Sequence, residues 1–310
     1  MKGIFSILML IIILSACKKD AVQNGNSNPP PPPPALDSNY IDTLYKTITR
    51  GSITDTVAYY KYNYDNLKRV TLVKWEINDF GQSNNGGGTE IYSYNNNDML
   101  PYSSYRTSSL NLTTLLTDTI IFYHWYDNGG RLIKDSVMQS HRTAPGVPSA
   151  GYFLRKRGIT YQYSNALIIK KDTNIAVYDP GNNINYNSTD STFLSPTGNP
   201  VLDRFFSGIL PFATATITYD NMINPHTKLN IFKAFSPAPL WSLPDFYTSF
   251  IGQNNYVSYK NISPAPFDYN NFNSIFSNIY LPSGYLLKTT ANGQYPPTDI
   301  VSWIYKYKAL

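Results

Sequence analysis

The chain has 310 residues, a formal charge of +5 and one cysteine, Cys17, which excludes a disulfide framework and a thiolate metal site from the folded part. The basic excess is mild and scattered, so nucleic acid is not an expected partner. Aromatics reach 15% of residues, 27 of them Tyr, while Glu76 and Glu90 are the only glutamates; this composition favours strands and turns over helices.

Residues 1–16 read as a signal peptide: Lys2, an apolar run from Ile4 to Leu14 broken only by Ser6, then small residues before Cys17. A run of eleven residues is too short to span a bilayer as a helix. Leu14-Ser15-Ala16-Cys17 resembles the lipobox of bacterial lipoproteins. The resemblance implies cleavage before Cys17, thioether-linked diacylglycerol on its sulfur and a further acyl chain, such as palmitate, on its amine. Several acyl chains hold a protein stably on a bilayer where one does so only marginally. Lys18 and Lys19 follow without the aspartate that retains some lipoproteins at the inner membrane, which in that family implies the outer membrane; the periplasmic or cell-surface face stays open.

Residues 17–39 form a tether. Pro29–Pro34 is an uninterrupted hexaproline, expected in polyproline II at about 3.1 Å per residue, a semi-rigid strut of roughly 19 Å. A docking site for a proline-reading domain is the alternative.

Residues 40–310 are expected to form a single antiparallel β domain. Tyr60, Tyr62 and Tyr64 alternate with Tyr59, Lys61 and Asn63; Val70, Leu72, Lys74 and Glu76 with Thr71, Val73, Trp75 and Ile77; Val301, Trp303, Tyr305 and Tyr307 with Ile300, Ser302, Ile304 and Lys306. The fold class is mainly β: a large curled antiparallel sheet or open, barrel-like meander of hairpins. Val201–Ile209 and Ser242–Ile251 are its candidate short helices.

The turns repeat. Tyr62-Asn-Tyr-Asp-Asn-Leu-Lys-Arg-Val70, Tyr92-Ser-Tyr-Asn-Asn-Asn-Asp-Met-Leu100 and His124-Trp-Tyr-Asp-Asn-Gly-Gly-Arg-Leu132 share an aromatic strand end, an Asp or Asn, a tight turn and a return strand. Weaker copies are Tyr161–Ile168 and Ile217–Asn221. Asn128-Gly129-Gly130 supplies the positive φ of a bulged hairpin. Tyr126–Leu132 resembles the tyrosine-aspartate (Rhs-type) hairpin repeat of bacterial cell-surface sheets. The longer order is similar to an uncharacterised family of Bacteroidota lipoproteins, a domain of unknown function with a porin-like fold. That similarity rests on Tyr219-Asp-Asn-Met-Ile-Asn-Pro225, Asn254-Asn-Tyr-Val257 and Tyr280-Leu-Pro-Ser-Gly-Tyr285, and departs from the family over residues 179–200 and 261–279. It implies a large curled sheet and transfers no activity.

Sequence signatures of chemistry are few. There is no G-x-S-x-G, H-E-x-x-H, Walker loop or G-x-G-x-x-G. Gly86-Gly87-Gly88 reads as a loop before a strand. His124, His141 and His226 lack metal-ligand spacing; His124 reads as a satisfied histidine and His226 as a turn residue. Asp179–Asp190 spaces oxygen side chains as a calcium loop would, but without its glycine and terminal Glu, so an exposed Asn-rich loop is favoured. Glu76, Asp79 and Glu90 are the candidates for a glycosidase carboxylate pair. No catalytic residue, metal or cofactor is assigned.

Most tyrosines read as core and cross-strand packing. The ligand-binding candidates are Trp241, Tyr247, Tyr269 and Trp125, with Pro237–Trp241 and Pro264–Tyr269 as loops lining a cleft. The preferred reading is a monomeric, lipid-anchored envelope protein that binds or scaffolds a glycan or a protein. A glycan hydrolase with an unrecognised carboxylate pair is the alternative. An integral outer-membrane barrel is rejected, because Lys61, Lys74, Glu76, Lys134 and Asp135 interrupt both strand faces.

Overall fold

The computed structural model describes residues 39–78, 85–111, 115–142, 152–177, 183–207, 210–229, 252–264, 272–292 and 299–310, all within one compact unit, Ala35–Leu310. Cys17, the hexaproline, Ser242–Ile251, Trp241, Tyr247 and Tyr269 lie outside the described residues.

The strands are β1 (Asn39–Arg50), β2 (Ile53–Tyr64), β3 (Val70–Asn78), β4 (Asn85–Ser93), β5 (Ser103–Asn111), β6 (Leu115–Tyr126), β7 (Leu132–Arg142) and β8 (Tyr152–Ser164). They continue as β9 (Leu167–Val177), β10 (Asn183–Leu194), β11 (Pro200–Ser207), β12 (Leu210–Ile223), β13 (Asn254–Ile262), β14 (Phe272–Tyr280), β15 (Leu286–Asn292) and β16 (Ile300–Ala309). Each pairs antiparallel with the next, and β16 pairs back with β1, from Asn39–Ala309 to Thr49–Ile300. The expected curled antiparallel sheet is therefore present with its two edges joined as a closed barrel, which leaves no free strand edge.

Alternation decides which side chains point inward. Tyr60 and Tyr62 are buried while Lys61 is partly and Asn63 fully exposed; Val73 and Trp75 are buried while Lys74 and Glu76 are exposed. The inner wall of β12–β16 and β1–β4 is one apolar cluster around Trp75, Trp303, Tyr62, Tyr259, Ile41 and Leu44. A smaller cluster of Leu132, Val137, Ile159 and Tyr161 lines β7 and β8. After β12 the chain folds inward through a 3₁₀ turn, Pro225–Lys228, capped by Asn224, which buries His226 and Leu229 against the larger cluster.

Three local expectations are corrected. Val201–Ile209 is not a helix: residues 201–207 belong to β11, where Asp203 faces in and Arg204 out, a period of two that Phe205-Phe206 masks. Gly86–Gly88 is not a loop but part of β4, with Gly88 opposite Trp75 on β3 and Ser108 on β5. A Cβ on Gly88 would lie 2.3 Å from the Thr107 carbonyl oxygen and 2.5 Å from the Trp75 ring, so the missing side chain makes room for the indole. The Asn-rich run proposed as a calcium-type or exposed loop is strand β10 from Asn183 onward; Asp190 points inward to Lys170 and is not available as a loop ligand.

Four turns share one geometry at one rim, two of them from the sequence repeat, Asp65–Arg69 and Asp127–Arg131, whereas the Tyr92–Leu100 turn instead closes by Asp98 N–H to Asn95 O. Asp65 N–H donates to Arg69 O and Lys68 N–H to Asp65 O; the same pair of bonds recurs at Asp127–Arg131, Ser195–Asn199 and Leu281–Tyr285. The fourth residue of each turn has positive φ: Lys68 at 63°, Gly130 at 73°, Gly198 at 82° and Gly284 at 83°. Asp65 Oδ1 accepts from the backbone of Leu67 and Arg69, and Asp127 Oδ1 from Gly129 and Arg131, while each Oδ2 accepts from the arginine Nε at 2.7 Å.

Five tyrosines near strand ends also share a role. Tyr64, Tyr94, Tyr126, Tyr163 and Tyr307 donate their hydroxyls to the carbonyls of Ile41, Val70, Pro101, Leu132 and Leu286 at 2.6 to 3.0 Å. Each bond ties a strand end to the start of the preceding strand. Arg69 and Arg131 lie over the rings of Tyr94 and Tyr163, 4.4 and 4.8 Å from their centroids.

Candidate functional site

From β4 to β11 the two walls of the barrel differ in charge. The inner wall carries a ladder of buried polar groups. Glu90 on β4 accepts from Ser104 Oγ at 2.7 Å and Arg106 Nε at 2.8 Å on β5. His124 Nδ1 on β6 lies 2.7 Å from Asp135 Oδ1 on β7, whose other oxygen accepts from Tyr161 on β8 at 3.0 Å. Arg157 on β8 pairs with Asp172 on β9, and Lys170 on β9 with Asp190 on β10 at 2.9 Å. Burial raises the Asp135 carboxyl above the ordinary range, against the opposing pull of His124 and Tyr161.

Asp203 on β11 ends the ladder. It is 1% exposed, and among the described residues it has no ion pair. Burial, reinforced by the neighbouring Asp190 charge and opposed by Thr192 and Lys170, pushes its carboxyl up to about 7.

The outer wall of the same strands presents apolar rings and basic side chains. In register across the sheet run Ile91, Tyr105, Ile121, Met138 and Lys156; a second row runs Trp125, Lys134, Thr160 and Lys171. Ile91 is 50% exposed, Tyr105 45%, Tyr123 43% and Trp125 43%. Four strand spacings separate Ile91 from Lys156, roughly 19 Å. Lys134 Nζ lies 4.9 Å from the centre of the Trp125 ring and fixes a positive point beside it. Thr89, Thr107, Ser136 and Thr160 supply hydroxyl-bearing positions around these rings.

Of the expected ligand-binding residues, Trp125 is exposed in this patch. Sequence reasoning missed Tyr105 and Ile91, although the parity that puts Glu90 and Arg106 inside also puts Ile91 and Tyr105 outside. Of the three carboxylate candidates, Asp79 lies outside the described residues, and Glu76 and Glu90 do not share a face. Glu76 faces out and pairs with Lys74 at 2.9 Å, whereas Glu90 faces in, because they sit at opposite parities of their strands. His124, expected as a satisfied surface or cleft histidine, pairs through Nδ1 with Asp135 but is buried on the inner wall. His226 is in the 3₁₀ turn, as expected, and is buried against Tyr305. Among the described residues no group of three or more metal-ligating side chains occurs.

No family model and no curated protein matches the chain. Solved structures do. A porin-like protein from Bacteroides vulgatus is similar at 11% identity and a TM-score of 0.45, over 88% of this chain and 100% of that one. A porin-like protein from Bacteroides uniformis is similar at 11% identity and a TM-score of 0.33, over 89% of this chain and 100% of that one.

Proposed function

We propose that this is a lipid-anchored protein of a bacterial cell envelope whose barrel binds or scaffolds a ligand on its outer wall. The observation that carries the reading is the group of exposed side chains Ile91, Tyr105, Tyr123 and Trp125 on β4–β6, with Ile133 and Met138 exposed beside them on β7, in a wall that also presents Ser, Thr and Lys. Contiguous exposed apolar surface marks interaction sites, and Tyr and Trp combine a flat face with a hydrogen-bonding edge suited to sugar rings or a protein partner. Behind it, the buried ladder and apolar clusters hold these strands rigid, so the platform is ordered before ligand arrives.

The polarity of the outer wall supports a barrel surrounded by water. On β8, β9, β12 and β13 the exposed Lys156, Gly158, Thr160, Gln162, Lys171, Thr173, Thr216, Thr218 and Lys260 interrupt the apolar band a lipid-facing wall needs, although Ile262, Ile275 and Ile279 are exposed on the neighbouring β13 and β14. Attachment then rests on Cys17, whose lipobox supports an acylated N-terminus.

The hydrolase reading finds its best support in Asp203, whose carboxyl burial pushes up to about 7, with Asp190 beside it. Their inward aim, at 8% and 1% exposure, withholds them from a polymer chain and favours binding over hydrolysis. A glycan array probed with the wild type and Trp125→Ala tests the proposal. A stacked ring is worth about 0.5 to 1.5 kcal/mol, so binding should weaken roughly three- to tenfold with little change in melting temperature. Binding indifferent to both Trp125→Ala and Tyr105→Ala would move the site off this wall. Turnover abolished by Asp203→Asn would establish the hydrolase. Mass spectrometry of the membrane-extracted protein should find acylated Cys17; an unmodified thiol there would refute the anchor.

A further inference from the structure

We infer that the ligand of the outer wall is an anionic carbohydrate, a polymer whose sugars carry carboxylate, sulfate or phosphate groups. This rests on the outer-wall reading above and adds the charge of the ligand to it.

The inference comes from how the strands sort their charges. Within strands β4 to β11, leaving aside Asp98 and Asp127 in the rim turns, the carboxylates whose side chains are described are Glu90, Asp135, Asp172, Asp190 and Asp203, and all five are buried on the inner wall. The charged side chains exposed on the outer wall of the same strands are Lys134, Lys156, Lys171 and Arg204, all basic. Over eight consecutive strands the described acids lie within, paired there with Arg106, His124, Arg157 and Lys170, while the exposed outward charges are all basic. Elsewhere on the barrel the outer wall mixes signs: Lys61 and Lys308 pair with Asp42, and Lys74 with Glu76. The one-signed stretch coincides with the stretch that carries the exposed rings.

Position links the two features. Lys134 stands over Trp125, and Lys156 continues the row from Ile91 through Tyr105, Ile121 and Met138. Lys171 lies beyond Thr160 in the Trp125 row. A sugar polymer laid across β4 to β9 would meet rings first and ammonium groups next. Its hydroxyls would face Thr and Ser, and its acid groups would meet Lys134, Lys156 and Lys171. No outward carboxylate among the described side chains of these strands would repel it. Lysine acts as a point charge and tolerates carboxylate, sulfate or phosphate, so the common chemistry is the anion on a sugar scaffold. A neutral glycan would use the rings and leave the ammonium groups idle.

The test is retention of the full-length protein on polygalacturonate, dextran sulfate and neutral dextran at several salt concentrations, with phosphatidylglycerol vesicles as a fourth probe. The expected result is at least tenfold tighter binding to an acidic polysaccharide than to dextran. That binding should weaken with salt and fall about tenfold in K134Q/K156Q/K171Q and at least threefold in Trp125→Ala. Because these side chains are exposed, circular dichroism should show all variants folded. Equal binding of dextran and acidic polymers, lost in Trp125→Ala, would overturn the charge inference and leave the outer-wall reading intact. Acidic-polymer binding that needs the lysines but survives Trp125→Ala and Tyr105→Ala would overturn both. Tighter binding to the vesicles than to any polysaccharide would replace the carbohydrate with a membrane surface and overturn the inference.

Discussion

Replacing Gly88 by Ala is the sharpest test of how the inner wall packs. The new Cβ would fall 2.3 Å from the Thr107 carbonyl oxygen on β5 and 2.5 Å from the Trp75 ring on β3. The first neighbour is backbone, and Trp75 is almost fully buried, so neither can swing aside. Either β4 shifts against both neighbours or the indole is expelled from its place. Overpacking of a tight core costs about 1 to 3 kcal/mol, and losing a buried Trp about 3 to 5. The expected loss is therefore about 3 kcal/mol. Gly130→Ala, at φ 73° and with only Leu100 nearby at 3.4 Å, should cost about 1 to 2 kcal/mol from backbone conformation alone. Urea unfolding followed by tryptophan fluorescence measures both. A second arm combines Gly88→Ala with Trp75→Leu: if the indole is the obstacle, the double variant loses less than the sum of the two singles, with a coupling of roughly 1 kcal/mol or more. Additive losses, or a Gly88→Ala cost below that of Gly130→Ala, would refute the packing argument.

Asp203→Asn should remove a pH dependence. The carboxyl titrates near 7 when folded and near 3.8 otherwise, so the wild type loses stability as pH rises from about 4 to 7. The variant should match the wild type at pH 4 and exceed it by roughly 2 to 4 kcal/mol at pH 8 in urea titrations; parallel stability curves would show that Asp203 is not strained by burial. Tyr163→Phe deletes the hydroxyl that holds Leu132 O and should cost about 1 kcal/mol, leaving the ring under Arg131 in place. A neutral Tyr163→Phe in the same melts would show that this hydroxyl contributes nothing at the rim.

What the sequence disclosed follows from range. Alternation is local, so the inward set Tyr60, Tyr62, Trp75, Trp303 and Tyr305 was readable residue by residue. The tight turn at Asn128–Gly130 was readable too, since Gly130 takes the positive φ that its neighbours demanded. Lys68 adopts the same conformation without announcing it, because the shared hydrogen bonds of the turn, not the residue, impose it. Gly86–Gly88 misled: three glycines imitate a loop, and only the register against β3 shows that they make space for Trp75. The ion-pair ladder was illegible for the same reason. Glu90 and Arg106 are 16 residues apart, and Asp135 and Tyr161 are 26, so their meeting depends on strand register that no short motif encodes. The outer platform was half visible, through Trp125, because exposure of a tyrosine depends on which wall its strand parity selects.

Joining the first strand to the last has a consequence in time. β1 can pair with β2 as soon as both exist, but its other edge waits for β16, and the bond between Asn39 and Ala309 spans nearly the whole chain. Such distant pairings are slow to form. Until Ile300–Ala309 has been delivered, the growing meander carries two open edges, each able to recruit another chain. The ten residues of β16 thus act as a completion signal: a chain cut short before them keeps its hairpins yet remains adhesive at both sides.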